Sequence, residues 1–338
     1  MTERTNRQWR LVRRPSGPVS DSDFAWGEEP VPPLAEGQLL VRNRWISFDP
    51  HLAVDIRLTN VARGAVPIGA VVPALGVGEV VETRREDLRM GDRVYGLLGW
   101  EEYTVTDGTG FFPMVRLPED VPPPLALGVL GMTGMTAYFG VRSVGAVRPG
   151  ETFVASGAAG SVGSVAVQIA RREGARVIGI AGGREKCDWL LHEARVDGAI
   201  DYRTEDVAAR LSALCPNGID VFFDNVGGPV LDLVLPRLRR YGRVVLCGAI
   251  SRYESVAPGP GPSNYPSLIL RHGRMEGFLI SDYVPQFPEA LTALSGWVRS
   301  GEIRSREDVA IGLENAPRTF ARLFSGENFG KQLLRLDP

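Results

Sequence analysis

The sequence is poor in the residues that build metal centres and disulfide frameworks. Cysteine occurs three times, at Cys187, Cys215 and Cys247, and histidine three times, at His51, His192 and His272. An odd, widely spaced set of cysteines with no CxxC argues for reduced thiols and against disulfides. The scattered histidines add no zinc-ligand spacing, so no metal is expected. Charge of one sign is also lacking. The formal net charge is −2, which excludes a general basic field for nucleic acid or an anionic membrane. No apolar run approaches the roughly eighteen residues that would span a bilayer. The opening residues, MTERTNRQWRLVRRP, lack an apolar stretch followed by a small-residue cleavage site, so no signal peptide is expected. These absences together predict a soluble, cytoplasmic protein with neither nucleic-acid nor membrane partners.

What is present fits about two globular domains in 338 residues. Residues 1–123 carry short β-like runs, among them QLLVRNRWISF, ALGVGEVVETR and GDRVYGLLGWEEYTVT, separated by Gly and Pro turns. A proline cluster in LPEDVPPPLALG breaks this pattern and marks a junction. From 124 to 300 the runs TFVASG, RVIGIAGG, GAID, DVFFDNVG, GRVVLCGA and RMEGFLI read as strands, most of them separated by helical periodicity. Alternating βα units predict a parallel sheet covered on both faces. Residues 301–338 return to short mixed segments and are expected to complete the first domain. The fold class is therefore α/β, a β-rich domain followed by a doubly wound one. The most loop-like stretch is SVAPGPGPSNYP, and loops of that length are more often functional than idle.

The chemistry begins at Ala158-Ala159-Gly160-Ser161-Val162-Gly163, a GxGxxG with alanine at the first glycine. It follows a strand, opens a helix and sits in a βαβ unit, which points to a dinucleotide loop, with a purely structural tight turn as the alternative. Close approach of a pyrophosphate needs no side chain at Gly160, and the helix start supplies free N–H groups and a positive dipole. A loop selecting NAD would be followed by an acid at the end of the second strand, bonded to the ribose 2′-OH. Here that strand ends in Ala181, Gly182 and Gly183, followed by Arg184 and Lys186. Small residues make room for a 2′-phosphate and cations pair with it, so NADPH is the expected cofactor; the plainer reading is a solvated turn whose basic residues start a helix.

The run LGVLGMTGMTAYFG, then SGAAGSVGS, AGGREKC, DNVGG, CGAIS, RMEGF and GENFGK, resembles the zinc-independent medium-chain reductases. Within them the likeness is greatest to the group of curcumin, alkenal and leukotriene/prostaglandin reductases. It covers nearly the whole chain in order. The resemblance implies a GroES-like catalytic domain, a Rossmann domain, NADPH without zinc, and reduction of a carbon–carbon double bond conjugated to a carbonyl. It implies that Gly160, Ser161, Val162 and Gly163 hold the pyrophosphate, and that Lys186 and Tyr202 meet the 2′-phosphate. It further places Asn225 on the cofactor and Cys247, Gly248, Ala249, Ile250, Ser251 and Tyr253 beside the nicotinamide. Phe278, Leu279 and Ile280 would flank that ring, and Asn328 would reach it from the tail. Plainer readings stand beside these. Asn225 next to glycines suits a left-handed turn, and Cys247 suits a small buried hydrophobe better than a nucleophile. The family also suggests a homodimer, and two-fold dimers are the commonest assembly.

For catalysis the resemblance singles out Tyr253, whose phenol can donate to the carbonyl oxygen as negative charge develops there. One place departs from the family pattern. Relatives carry DPYMR where this chain has DPHLA, so His51 replaces a tyrosine near the substrate and Ala53 an arginine. His51 then either lines the pocket and shuttles a proton at neutral pH, or is an ordinary packed or solvated residue. The reaction class expected is reduction of an α,β-unsaturated ketone or aldehyde. A quinone reductase, or an NADPH-binding protein without catalysis, is the alternative.

Overall fold

The computed structural model describes residues 4–58, 64–110, 113–255 and 259–337. The chain forms two compact units, Met1–Leu127 with Tyr253–Val256 and Glu307–Pro338, and Gly128–Arg252 with Ala257–Arg306. Of the loop-like stretch SVAPGPGPSNYP, residues 256–258 lie outside the described residues.

In the first unit β1 (Thr5–Leu11) pairs antiparallel with β2 (Phe24–Pro30). There follow β3 (Leu39–Ser47), α1 (Leu52–Arg57), β4 (Pro73–Thr83), β5 (Arg93–Gly99), β6 (Tyr103–Thr106), β7 (Val115–Arg116) and α2 (Pro123–Leu127). Period-two alternation explains these strands. In β5, Val94, Gly96 and Leu98 are buried while Leu97 between them is exposed. Val94 and Leu98 join Leu39, Val41 and Val80 in one core, and β3 is antiparallel to both β4 and β6. A second core gathers Phe48, Leu52, Ile56, Trp100 and Phe320. The Trp100 ring lies 5.3 Å from Phe48 and 5.6 Å from Phe320, centroid to centroid. Full burial of each such side chain contributes about 1.5–3 kcal/mol.

The second unit runs α3 (Met132–Phe139), β8 (Thr152–Ala155), α4 (Ser161–Arg172), β9 (Arg176–Ala181), α5 (Arg184–His192) and β10 (Gly198–Asp201). It continues with α6 (Val207–Leu214), β11 (Ile219–Asp224), α7 (Gly228–Val234), β12 (Leu238–Leu246), α8 (Ser267–Arg271), β13 (Arg274–Gly277) and α9 (Phe287–Arg299). Val165, Ala166 and Ile169 give α4 a buried stripe at helical spacing. Every residue of β11 is buried, as a central parallel strand covered on both faces requires. The strands pair in parallel in the order β10-β9-β8-β11-β12-β13. Strand order reverses at β8, so the crevice of this doubly wound sheet opens beyond the carboxyl ends of β8 and β11.

The tail, β14 (Glu307–Ile311), α10 (Ala316–Ser325) and β15 (Lys331–Arg335), belongs to the first unit. There β15 pairs antiparallel with β3, Leu333 opposite Ser47, and β14 pairs in parallel with β15. The sheet thus draws on both ends of the chain. Among the described residues no helix is long and apolar enough to cross a membrane.

Candidate functional site

Beyond β8 the chain turns sharply at Gly157, which has φ 56°. Sequence reasoning looked for the turn glycine at Ala158 and missed Gly157, one residue earlier. Gly160 caps α4 in an extended conformation and, being glycine, brings no side-chain cap. A Cβ at Gly163 would stand 2.2 Å from the Gly157 carbonyl oxygen, and one at Gly160 would stand 3.1 Å from it. Only glycine fits at 163, and its absent side chain lets the helix start close on the loop. Ser161, Val162 and Gly163 form the first turn of α4, whose backbone N–H groups and dipole favour an anion.

The turn after β9 is equally small. A Cβ at Gly182 would lie 2.7 Å from the Tyr202 ring, so that ring rests on the glycine. Gly183, at φ 97°, starts α5. Its N–H donates to Asp201 Oδ1 at 2.8 Å, Arg203 N–H donates to the same oxygen at 3.0 Å, and Thr204 Oγ1 donates to Oδ2 at 3.0 Å. These bonds, the Gly183 N–H foremost, hold the Asp201 carboxyl below the usual range. An acid therefore does lie beside this turn, but both its oxygens are committed to shaping it. Tyr202 remains half exposed, and Lys186 stands partly exposed in the first turn of α5. Arg184 points along its own helix to Asp188 at 3.5 Å.

The loops after β8, β11 and β12 are stitched together. Ser156 Oγ donates to Asp224 Oδ1 at 2.7 Å and accepts the Asn225 N–H at 2.9 Å. Asn225 Nδ2 donates back to the Ser156 carbonyl at 2.7 Å. The N–H groups of Cys247 and Gly248 donate to the Asp224 carbonyl, and those of Ile250 and Ser251 to the carbonyls of Asn225 and Val226. Burial pushes the Asp224 carboxyl above its usual range, and among the described residues its Oδ2 has no hydrogen-bond partner. Neither Ser156 nor Asp224 was singled out from the sequence, although both lie in the motifs SGAAGSVGS and DNVGG or directly beside them. Ala249 lies in the same loop as Cys247 and Ser251.

Cys247 is half-buried where a buried one was expected. Burial, with Asp224 beside it, pushes its thiol up to about 12, so it is not a thiolate at neutral pH. Phe278, after β13, rests on Gly140, where a Cβ would stand 3.0 Å from its ring, and meets Tyr283 edge-on at 6.2 Å. Leu279 is exposed and Ile280 opens a short 3-10 turn. Gly277 pairs with Leu246 across β12 and β13, so Phe278 follows on beside the loop that begins at Cys247.

The remaining candidates belong to the first unit. Tyr253 packs, partly buried, on the core that holds Phe48, Leu52 and Ile56. The run from Cys247 to Tyr253 is thus divided, Ser251 in one unit and Tyr253 in the other. Asn328 sits in the turn before β15, its Nδ2 donating to the Gly330 carbonyl at 3.3 Å. His51 caps α1, with Nε2 3.9 Å from Asp55 Oδ2. Two residues earlier, Asp49 accepts from Lys331 Nζ at 2.6 Å and from Ser47 Oγ at 2.6 Å. Desolvation, the largest influence, would raise the Asp49 carboxyl, yet Lys331, His51 and Ser47 together bring it below its usual range. Sequence reasoning quoted GENFGK but gave its lysine no role.

Among the described residues no group of three or more His, Cys, Asp or Glu could hold a metal ion. Residues 7–114 match the family described as the N-terminal domain of oxidoreductase, and residues 161–296 the family described as zinc-binding dehydrogenase. The chain is 38% identical over 336 residues to the NADPH-dependent curcumin reductase of Escherichia coli (strain K12), covering 98% of this chain and 97% of that protein. It is 36% identical over 338 residues to the 2-alkenal reductase (NADP(+)-dependent) of Nicotiana tabacum, covering 98% of each. The crystal structure of CurA in complex with NADPH from Vibrio vulnificus superposes with a TM-score of 0.91 at 36% identity, covering 98% of this chain and 99% of that one. The chain therefore belongs to the medium-chain dehydrogenase/reductase family, in its zinc-independent branch.

Proposed function

We propose that the protein is an NADPH-dependent reductase of the carbon–carbon double bond in α,β-unsaturated ketones or aldehydes. The observation that carries this reading is its likeness, along nearly the whole chain, to a curcumin reductase and a 2-alkenal reductase. The local geometry fits the cofactor. The cradle has no room for a side chain at Gly163 and little at Gly160, and the small turn at Gly182 and Gly183 carries Lys186 and Tyr202 where an NAD enzyme has an acid.

When bound, NADPH supplies the hydride. Gly160, Ser161, Val162 and Gly163 hold the pyrophosphate, while Lys186 and Tyr202 meet the 2′-phosphate. Asn225, the loop Cys247, Gly248, Ala249, Ile250 and Ser251, the segment Phe278, Leu279 and Ile280, and Asn328 serve the nicotinamide end. Reduction at the β-carbon leaves negative charge on the carbonyl oxygen, and the Tyr253 phenol donates a hydrogen bond to that oxygen. His51 lies on the substrate side and exchanges the proton that completes the reaction.

The test follows NADPH absorbance with a panel of enones and enals and a panel of quinones. Consumption with enones supports the reading. Consumption with quinones alone replaces it with a quinone reductase, and binding without turnover with either panel removes the enzyme. We also propose a homodimer. The edge strand β13 and the exposed Ile269 and Leu270 of α8 offer a surface for a second copy. Light scattering at the mass of one chain would reject the dimer.

A further inference from the structure

Lys331 is only 3% exposed, and lysine is almost never this buried unless paired. It opens β15, the strand between β14 and β3. Its ammonium group donates to Asp49 Oδ1 at 2.6 Å and to the Phe48 carbonyl at 3.3 Å. Ser47 Oγ takes the other carboxylate oxygen at 2.6 Å, and the Phe48 N–H donates to the Gln332 carbonyl at 3.1 Å. The elbow between β3 and α1 is thus fastened to the tail by both backbone and side chain. His51 follows directly. Its imidazole lies 3.9 Å from Asp55 Oδ2, one turn along the same helix.

We propose that Lys331 is a positioning residue for His51: with Ser47 it holds the Asp49 carboxylate on the tail strand, so that Lys331, more than the nearby imidazole, balances that carboxylate's charge. Charged groups from several elements stand at this corner. Asp55 lies on its own helix, Asp49 on the elbow and Lys331 on β15. Arg14, from the N-terminal arm, bonds the carbonyls of Ile56 and Leu58 at the far end of α1. Without Lys331 the buried Asp49 carboxylate is left unpaired, and the nearby imidazole becomes its available counter-charge. The functional consequence rests on the assignment of His51 to the substrate side, but the positioning itself can be read without it.

The experiment titrates the imidazole resonances of His51, His192 and His272 by NMR in the full-length protein. In Lys331→Met the His51 midpoint should rise by about one pH unit while the other two stay in place. Lys331→Arg should return it close to its original value. A folded Lys331→Met protein with His51 unmoved overturns the proposal, as does an equal shift of all three histidines. If Lys331→Met does not fold, Ser47→Ala is read instead. It should move His51 in the same direction by less, and no movement there also overturns the proposal. Turnover of His51→Phe is measured separately. A shifted His51 titration with unchanged His51→Phe turnover supports the positioning and removes only the substrate-side role.

Discussion

The turns after β8 and β9 are shaped by what they lack. Gly160, Gly163 and Gly182 let backbone approach backbone or ring, Gly157 and Gly183 take positive φ, and the bonds that hold these turns span short loops or adjacent strands. The elbow between β3 and α1 is shaped by what reaches it from far away. A buried lysine 282 residues on fixes Asp49, two residues before His51. The first kind of site tolerates surface change but no added methyl group. The second tolerates conservative change but not the loss of one partner, because a half-removed buried pair leaves an uncompensated charge.

The sharpest way to break this contrast is Lys331→Met. It should cost about 3–5 kcal/mol of stability in denaturant unfolding, whereas Lys331→Arg should cost far less. A cost near zero for Lys331→Met would mean that the elbow does not depend on the tail. Next in size, Tyr253→Phe should lower turnover of a good enone by about 10²–10³ while NADPH affinity, read by fluorescence titration, stays unchanged. Lys186→Ala should lower the preference for NADPH over NADH by about ten- to a hundredfold, the worth of a charge-assisted hydrogen bond of roughly 1.5–3 kcal/mol. An unchanged ratio would remove Lys186 from the 2′-phosphate site.

The smallest effect concerns pH. Burial raises the Asp224 carboxyl, so its contribution to stability is full below the unfolded value and is lost as pH rises through the folded one. The Asp49 carboxyl is lowered, so its contribution is present above the unfolded value and is lost as pH falls through the folded one. Asp224→Asn should therefore flatten the decline of stability on the alkaline side of the carboxylate range and leave the acid side unchanged. Its effect at neutral pH should stay within about 1 kcal/mol, measured by urea unfolding at several pH values.

The same contrast explains what the sequence could reveal. Glycine loops, strand runs and the missing acid are local patterns, so the parallel strands and the loop at Gly160–Gly163 were legible. The turn residue itself was displaced to Gly157 because the motif records which positions must be small and not which one takes φ above zero. Asp201 escaped notice because it shapes the turn from the next strand. Lys331 and Asp49 escaped because nothing local links β15 to the end of β3. The separation of Tyr253 from Ser251 was equally hidden, since residues two apart in sequence belong to different units and only Tyr253 packs on a core.

Position-resolved reduction tests the proposed chemistry most directly. With NADPH carrying deuterium at its transferable position and an enone as substrate, the product is examined by NMR. Deuterium at the β-carbon of a saturated ketone is the predicted result. Deuterium on the carbonyl carbon of an allylic alcohol, or recovery of unreacted enone beside bound cofactor, would contradict it.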